Sequence, residues 1–400
     1  MKDKTHSLVF YVVDVANVPI LGLEACTKFG LVKKVDSLTE TVYSKEMVLR
    51  EYKDVFEGLG CMTQEYHIEI QPDATPVVHP PRRVLFSLHG KLKGTLDRME
   101  KNGVIAKVDK PTDWVNSLVI AEKQDGSLRL CLDPRELNKV IKREHYKIPT
   151  AEEVASKLSG KSVFSILDEK DGFWKIPLDE ESSFLCTFNS PFGRYRFLRC
   201  PFGISSAPEV FQKRNDQLFG DIEGVHVVFD DLIIGGKDDA EHDGILKQVL
   251  DRARANNVKF NPDKFQFQVP EVKYIGQVVS SQGLKPDPDK VKVITEYLQP
   301  QTKEDLCCIL GLVNYLGEFV SNLSAVSEPL RILLKNDITW HWLTGQEKAF
   351  QEIKRLLTCA PVLKLFDVHK EVVIETDASK DGLGACLLQE GHPVAYESRS

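Results

Sequence analysis

Residues 225–236 read VHVVFDDLIIGG: an apolar run, a Phe-Asp-Asp step, and a second apolar run closed by two glycines. β-Branched and aliphatic residues on both sides of a short step are the pattern of a tight β-hairpin, which puts Asp230 and Asp231 at or beside the turn. Asp-Asp in a turn is common turn chemistry, so the pair alone decides nothing. A second stretch gives it weight: VFSILD (163–168) is a buried-strand pattern ending in Asp168. If the two strands are neighbours, three carboxylates converge on one spot. Such a cluster repels itself unless cations fill it, and Mg²⁺ takes oxygen ligands of this kind. Two Mg²⁺ ions about 3.5–4 Å apart activate a hydroxyl and hold a leaving pyrophosphate, which is the logic of nucleotidyl transfer. Periodicity by itself does not establish that the strands are neighbours.

Outward from this hairpin the chain alternates strand and helix patterns. Upstream, PFGISSAPEVFQKRNDQLF (201–219) predicts a loop and then a helix, preceded by the aromatic stretch FGRYRF (192–197). Downstream, Ile245, Leu246, Val249, Leu250 and Ala253 form the apolar stripe of an acidic helix, and KYIGQVVSSQG (273–283) reads as a strand pair. SLVIAEKQDGSLRLCLD (117–133) predicts a further hairpin, turned by Gln124, Asp125, Gly126 and Ser127. Leu88, Leu92, Leu96 and Met99 recur at helical spacing, with Asn102-Gly103 as the stop. Gly90 and Gly94 fall inside that helix, each costing about 1 kcal/mol relative to Ala. VFYVV (9–13) is a strand candidate. From about residue 286 the pattern is helical, with capping-box spacing at Thr302/Asp305 and Thr344/Glu347. The last stretch returns to strands, EVVIETDAS and then GACLLQ.

Composition bounds the class. Across 400 residues, 42% hydrophobic and 28% charged excludes collagen-like, low-complexity and largely disordered chains. No run approaches 18 apolar residues, so no membrane span is expected. The short apolar stretch before Asp14 does not make a secretory signal. None of the nine cysteines is spaced C-x-x-C, which favours small buried thiols in a reducing compartment. A net charge of -7 argues weakly against a nucleic-acid partner. Its distribution removes the objection: residues 80–147 carry 15 Lys/Arg against 9 Asp/Glu, a local excess of +6 that can meet phosphates.

Seven blocks then follow in a familiar order: RLCLDPRELNK (129–139), LDEKDGFWKIPL (167–178), TFNSPFGRYRFL (187–198), PFGISSAPEVFQ (201–212), the Phe-Asp-Asp hairpin, NPDKFQF (261–267) and YIGQVVSSQGLKPDPDKV (274–291). From about residue 45 to residue 400 the chain resembles the reverse transcriptase region of gypsy-type LTR retrotransposon polyproteins. The resemblance implies an α+β, right-hand polymerase with fingers, palm and thumb, a connection segment and a truncated ribonuclease H-like end. It assigns 1–35 to the remnant of a retropepsin-like protease C-terminus and 36–80 to a linker. Residues 81–283 become fingers and palm, 284–365 thumb and connection, and 366–400 the ribonuclease H-like start.

The same resemblance implies residue roles. Asp168, Asp230 and Asp231 bind two Mg²⁺ ions, or Mn²⁺, with Asp168 and Asp230 the most direct ligands; the Glu169 carbonyl lies beside them. Lys123 and Arg129 contact the triphosphate. Phe173 is the steric gate against a 2′-hydroxyl, where plain core packing is the alternative. Phe202 and Gly203 line the incoming nucleotide and template, Lys264 protonates pyrophosphate, and Tyr274 and Gly276 belong to the primer grip. The implied partners are an RNA or DNA template with its primer, and dNTPs, in the cytoplasm or in virus-like particles. Four positions depart from the family pattern: Val228 stands in the place of a Tyr, Asn215 in that of a Met, and Gly90 and Gly94 where better helix formers are usual.

The flanks resemble broken domains. ILG (20–22) within residues 8–35 matches a protease tail, yet no Asp-Thr-Gly or Asp-Ser-Gly triplet occurs. ETDASKDGLGACLLQ (375–389) resembles a ribonuclease H strand with Asp377 as its first ligand, and one carboxylate cannot hold two metals. Neither protease nor ribonuclease H activity is expected. The main expectation is an RNA-directed DNA polymerase. The alternative is an inactive retroelement-derived pseudoenzyme that at most binds nucleic acid.

Overall fold

The computed structural model describes residues 43–123, 126–274, 276–378 and 383–399, together with Cys26. The VFYVV strand, the protease-like tail over 8–35 apart from Cys26, residues 36–42 of the linker and the Gln124-Asp125 half of one turn lie outside the described residues. The chain divides into two compact units, Met1–Met47 and Val48–Ser400, and everything below concerns the second.

Strand β1 (Ile105–Lys107) is followed by the antiparallel hairpin of β2 (Ser117–Glu122) and β3 (Leu128–Asp133), paired from Ser117↔Asp133 to Glu122↔Leu128. In β3 the alternation buries Leu128, Leu130 and Leu132 and turns Arg129 outward, as a period-2 strand must. The helix His89–Lys101 packs beside β1 and β3, burying Leu92, Leu96 and Met99. Strand β4 (Val163–Asp168) comes next. After it, β5 (Thr187–Ser190) and β6 (Gly193–Phe197) form a sheet in the order β1-β6-β5.

The central sheet contains the expected hairpin. β7 (Val225–Val228) and β8 (Asp231–Gly236) join β4 and β9 (Gln266–Val269) in the order β7-β8-β4-β9. Ile166 and Leu167 in β4, and Leu232, Ile233 and Ile234 in β8, are all buried. A strand covered on both faces reads as a continuous apolar run. The helices Ala207–Phe219 and Asp239–Ala255 pack on β7 and β8. The second is N-capped by Asp238, whose side chain accepts from the Glu241 N–H at 2.8 Å, and it buries the predicted stripe. His242 ties this helix to β4: its Nε2 meets Ser165 Oγ at 2.8 Å and its Nδ1 meets Asp243 Oδ1 at 2.9 Å.

A meander of β10 (Glu271–Tyr274), β11 (Gln277–Ser280) and β12 (Gly283–Pro286) leads into the helices Pro288–Glu296, Lys303–Tyr315, Leu323–Leu333 and Thr344–Thr358. Their apolar faces share one core cluster with Phe164, Val228 and Ile233 of the central sheet. A last antiparallel sheet runs β13 (Val373–Ala378), β14 (Leu383–Gln389) and β15 (His392–Arg399). The capping box at Thr302 and Asp305 forms as expected. The one expected at Thr344 does not: the indole of Trp342 donates to Glu347 at 2.8 Å, and Gln346 instead reaches back to the Leu343 N–H at 3.2 Å. All nine cysteines are free thiols, but the expected burial holds only for Cys186 and Cys200, and Cys307, Cys308 and Cys359 are exposed. Among the described residues no helix is long and apolar enough to cross a membrane.

The seam between β8 and the helix Asp239–Ala255 leaves no room at Gly236, where a Cβ would lie 2.5 Å from the His242 nitrogen. Gly236→Ala is therefore expected to destabilise the protein by about 1–3 kcal/mol, measured as a lower urea midpoint at unchanged slope.

Candidate active site

The register of the central sheet answers the question left by the sequence. β4 and β8 are hydrogen-bonded neighbours, with Asp168 opposite Asp231. Val228 pairs with Asp231, so Phe229 and Asp230 are the two residues of the turn. The Glu169 N–H donates to the Asp230 carbonyl at 2.6 Å, locking the chain after β4 to that turn.

The turn is strained and clamped. Phe229 has φ +53°, a region that costs a bulky L-residue on the order of 1 kcal/mol or more. The helix Ala207–Phe219 holds it there. Gln212 accepts from the Phe229 N–H at 2.9 Å and donates to the Val227 carbonyl at 2.8 Å, while Asn215 donates to the Phe229 carbonyl at 3.3 Å. Asn215 thus has a structural task at the position where the family pattern has Met. On the other side, Gly172 lets Asp230 in: a Cβ there would fall 2.1 Å from Asp230 Oδ1.

Six of the expected site residues line one cleft of about 940 Å³: Lys123, Arg129, Asp168, Phe202, Asp230 and Lys264. Arg98, Asn102, Trp174 and Asn261 line it too. They escaped the sequence reading because each looks like an ordinary surface or helix-end residue until the chain is folded. Lys264 Nζ lies 2.7 Å from Asp168 Oδ2, and the Arg129 guanidinium sits 5.4 Å from the Phe202 ring centre. Asp231 opens instead onto an adjoining cleft of about 420 Å³, shared with Asp168, Lys264 and Lys273.

The remaining expected residues stand back from these walls. Phe173 packs against Phe202 and Phe211 at 5.2 and 5.5 Å between ring centres, behind the cleft lining. Gly203 abuts the β3 backbone, and its carbonyl accepts from Asn138 at 2.9 Å. Tyr274 is buried, and its ordinary pKa is raised by burial and by the Asp231 charge. Gly276 faces Lys290 and Tyr315. A separate cavity of about 630 Å³, beside His226, Lys157 and Lys161, includes none of the expected residues.

Burial and mutual repulsion dominate the electrostatics. The Asp230 carboxyl is pushed up to about 6 by burial, then by Glu169, with Lys175 pulling the other way. Asp231 is also pushed up to about 6, by burial and then by Asp168 and Asp230. Behind them lies a pair that the sequence reading missed: Lys175 Nζ meets Glu169 Oε2 at 2.5 Å with both side chains fully buried. Burial lowers the Lys175 pKa and raises that of Glu169. Carboxylate oxygens are the donors that Mg²⁺ prefers, and Asp230 Oδ1 has no hydrogen-bond partner among the described residues. The expected three-way convergence is nevertheless corrected to a pair. Among the described residues no three His, Cys, Asp or Glu side chains gather round one point. Asp230 sits in the two-residue turn and Asp231 opens β8, and the two line different clefts. Asp168 and Asp230 share the large cleft, and Asp231 faces the next.

Two outcomes follow from these charges. Lys175→Met leaves Glu169 as an uncompensated buried charge and is expected to cost about 3–5 kcal/mol in chemical denaturation at neutral pH. That deficit should shrink in acid, because a carboxyl with a raised folded-state pKa is better tolerated once protonated. Asp230→Asn has the opposite sign. A carboxyl raised from 3.8 to about 6 gives stability that is present below pH 3.8 and lost as pH rises through about 6. The amide should therefore stabilise the protein by about 1–2 kcal/mol at pH 7 in metal-free buffer, with no gain near pH 4.

Residues 121–279 match the family described as reverse transcriptase (RNA-dependent DNA polymerase), and residues 342–400 match an RNase H-like domain found in reverse transcriptase. Among curated relatives, the Tf2-3 and Tf2-7 transposon polyproteins of Schizosaccharomyces pombe are each 32% identical over 318 residues. That stretch is 77% of this chain and 24% of either relative, so the chain spans about a quarter of their length. Among solved structures, the foamy viral protease-reverse transcriptase dRH in complex with double-stranded DNA superposes at a TM-score of 0.83 with 22% identity. It covers 97% of this chain and 70% of that one. The same viral protein with an RNA/DNA hybrid gives 0.81 with 21% identity, over 97% of this chain and 54% of that one. The α+β, right-hand polymerase architecture is therefore that of the retroviral enzymes. The chain contains a reverse transcriptase domain over residues 121–279 and an RNase H-like domain over residues 342–400.

Proposed function

We propose that this chain is the RNA-directed DNA polymerase portion of a gypsy-type LTR retrotransposon polyprotein. It extends a primer on an RNA or DNA template with dNTPs by two-metal nucleotidyl transfer. One observation carries the reading: two carboxylates, Asp168 at the end of β4 and Asp230 in the β7–β8 turn, open into a cleft that also presents the cations Lys123 and Arg129. A carboxylate floor facing a cationic wall suits a site that must hold divalent metal on one side and a triphosphate on the other. Asp168 and Asp230 would hold the Mg²⁺ ions, with Asp231 beside them. Bound metal would supply Lewis-acid stabilisation of the phosphoryl oxygens.

The protein's own groups do the rest. Lys123 and Arg129, on the β2–β3 hairpin, neutralise phosphate charge, and Arg129 is steadied by its seat on the Phe202 ring. Lys264 stands close enough to the site to hold a proton for the leaving pyrophosphate. Phe173 supports Phe202 from behind, so its steric control over the sugar acts with that ring. Tyr274 and Gly276, on the β10–β11 connection, would steer the primer from beside the Asp231 face.

Primer extension on a primed RNA template tests this. Mg²⁺-dependent incorporation is expected, falling by about a thousandfold or more in Asp230→Asn. Folded protein that incorporates nothing with Mg²⁺ or Mn²⁺ would instead support the pseudoenzyme reading. Phe173→Ala is expected to admit ribonucleotides. Unchanged discrimination between dNTPs and rNTPs would remove Phe173 from sugar selection.

A further inference from the structure

At the far end of the helix His89–Lys101, hydrophobic side chains stand in water. Phe86 is 88% exposed and Leu85 72%. One exposed apolar residue means little. Here three rings from two separate elements meet. Phe86 lies 5.4 Å from His89 between ring centres, and His89 lies 5.8 Å from Phe192, which belongs to the β5–β6 turn. Their surroundings are cationic. Arg82 and Arg83 immediately precede the cluster, and Lys91 and Lys93 follow it in the helix. Arg82 is paired with Asp133 and Lys91 with Glu122 at 2.5 Å, which fixes this corner against the β2–β3 hairpin, and Lys93 is paired with Asp97 within the helix. Arg83 has no ion-pair partner among the described residues.

We propose that Phe86, His89 and Phe192 form a stacking platform for the single-stranded part of the template, with Arg83 contacting its backbone. Exposed rings flanked by cations are what binds unpaired nucleic acid: every base has a stackable face, and the backbone needs countercharge. A protein partner would favour an apolar patch free of lysine, the opposite of this rim. The position also fits. Arg98 and Asn102, at the other end of the same helix, line the catalytic cleft. From His89 to Arg98 is nine residues at about 1.5 Å each, roughly 14 Å, or about four nucleotides at 3.4 Å. A strand leaving the cleft along this helix meets the rings within a few bases.

The inference rests on the cleft being a primer–template site, and binding without metal or nucleotides separates the two. Fluorescence anisotropy with a labelled primer–template carrying a 5′ template overhang of about two or about ten nucleotides reads both. The wild-type protein should bind the long overhang several-fold more tightly. Phe86→Ala and Phe192→Ala should each erase that preference, weakening the long-overhang complex about tenfold. Because Phe86 is exposed, its melting temperature should not move. Arg83→Ala should lower the salt slope by about one, and Phe86→Ala should leave it unchanged. Equal wild-type affinity for both overhangs, or a preference that survives Phe86→Ala, overturns the platform alone. Binding to neither substrate overturns the primer–template reading. A Phe86→Ala protein that changes its sedimentation rather than its overhang preference marks the patch as a protein contact and also overturns the platform.

Discussion

The antiparallel pairing of β4 with β8 is the constraint on which the rest depends. It sets Asp168 opposite Asp231 and leaves Asp230 in a two-residue turn. Register in a sheet buried on both faces is strongly specified, because a one-residue slip would turn every side chain over. Here the slip would carry Ile166, Leu167, Ile233 and Ile234 out of their packing as well as misalign the acids. Hydrophobic burial therefore does the aligning, and the carboxylates are carried along by it.

What the sheet aligns, its neighbours hold at a cost. The Phe229 turn would relax without Gln212 and Asn215, and the Glu169–Lys175 pair gives up the hydration of two charges inside the core. Local strain and like charge at one place, with compensating contacts around it, is how functional sites commonly differ from the scaffold that carries them. The helix Ala207–Phe219 consequently has two duties: it covers β7 with apolar residues and it shapes the tip of the hairpin through two amides.

Much of this was legible in the sequence because strong periodicities carry through to structure. The β7–β8 hairpin, β4, the stripe of the helix Asp239–Ala255 and the Thr302 cap all follow from local pattern. Thr150 and Glu153 carry the same capping-box spacing as Thr302 and Asp305, and that box forms too. Lys175 is a different case. A lysine in GFWKIP reads as a solvated charge, and only the fold reveals that Glu169 meets it in the core. Arg98, Asn102 and Asn261 share that limitation, because cleft membership is a property of distant segments meeting. The separation of Asp230 from Asp231 belongs with them: only the register shows that Asp230 falls in the turn while Asp231 opens β8, so that the two line different clefts.

The sheet β13-β14-β15 has a consequence for the behaviour of the chain in solution. Among the described residues β13 is one of its two edge strands, and all six of its residues are exposed, with Ile374 64% and Val373 50% accessible. Glu375 and Asp377 are the charges along it, flanking Thr376. An open edge with apolar side chains is a template for strand addition from another copy, and acidic residues oppose that pairing only while ionised and unscreened. Strand addition at β13 of this chain should therefore increase with ionic strength and in acid, where the two charges are screened or neutralised.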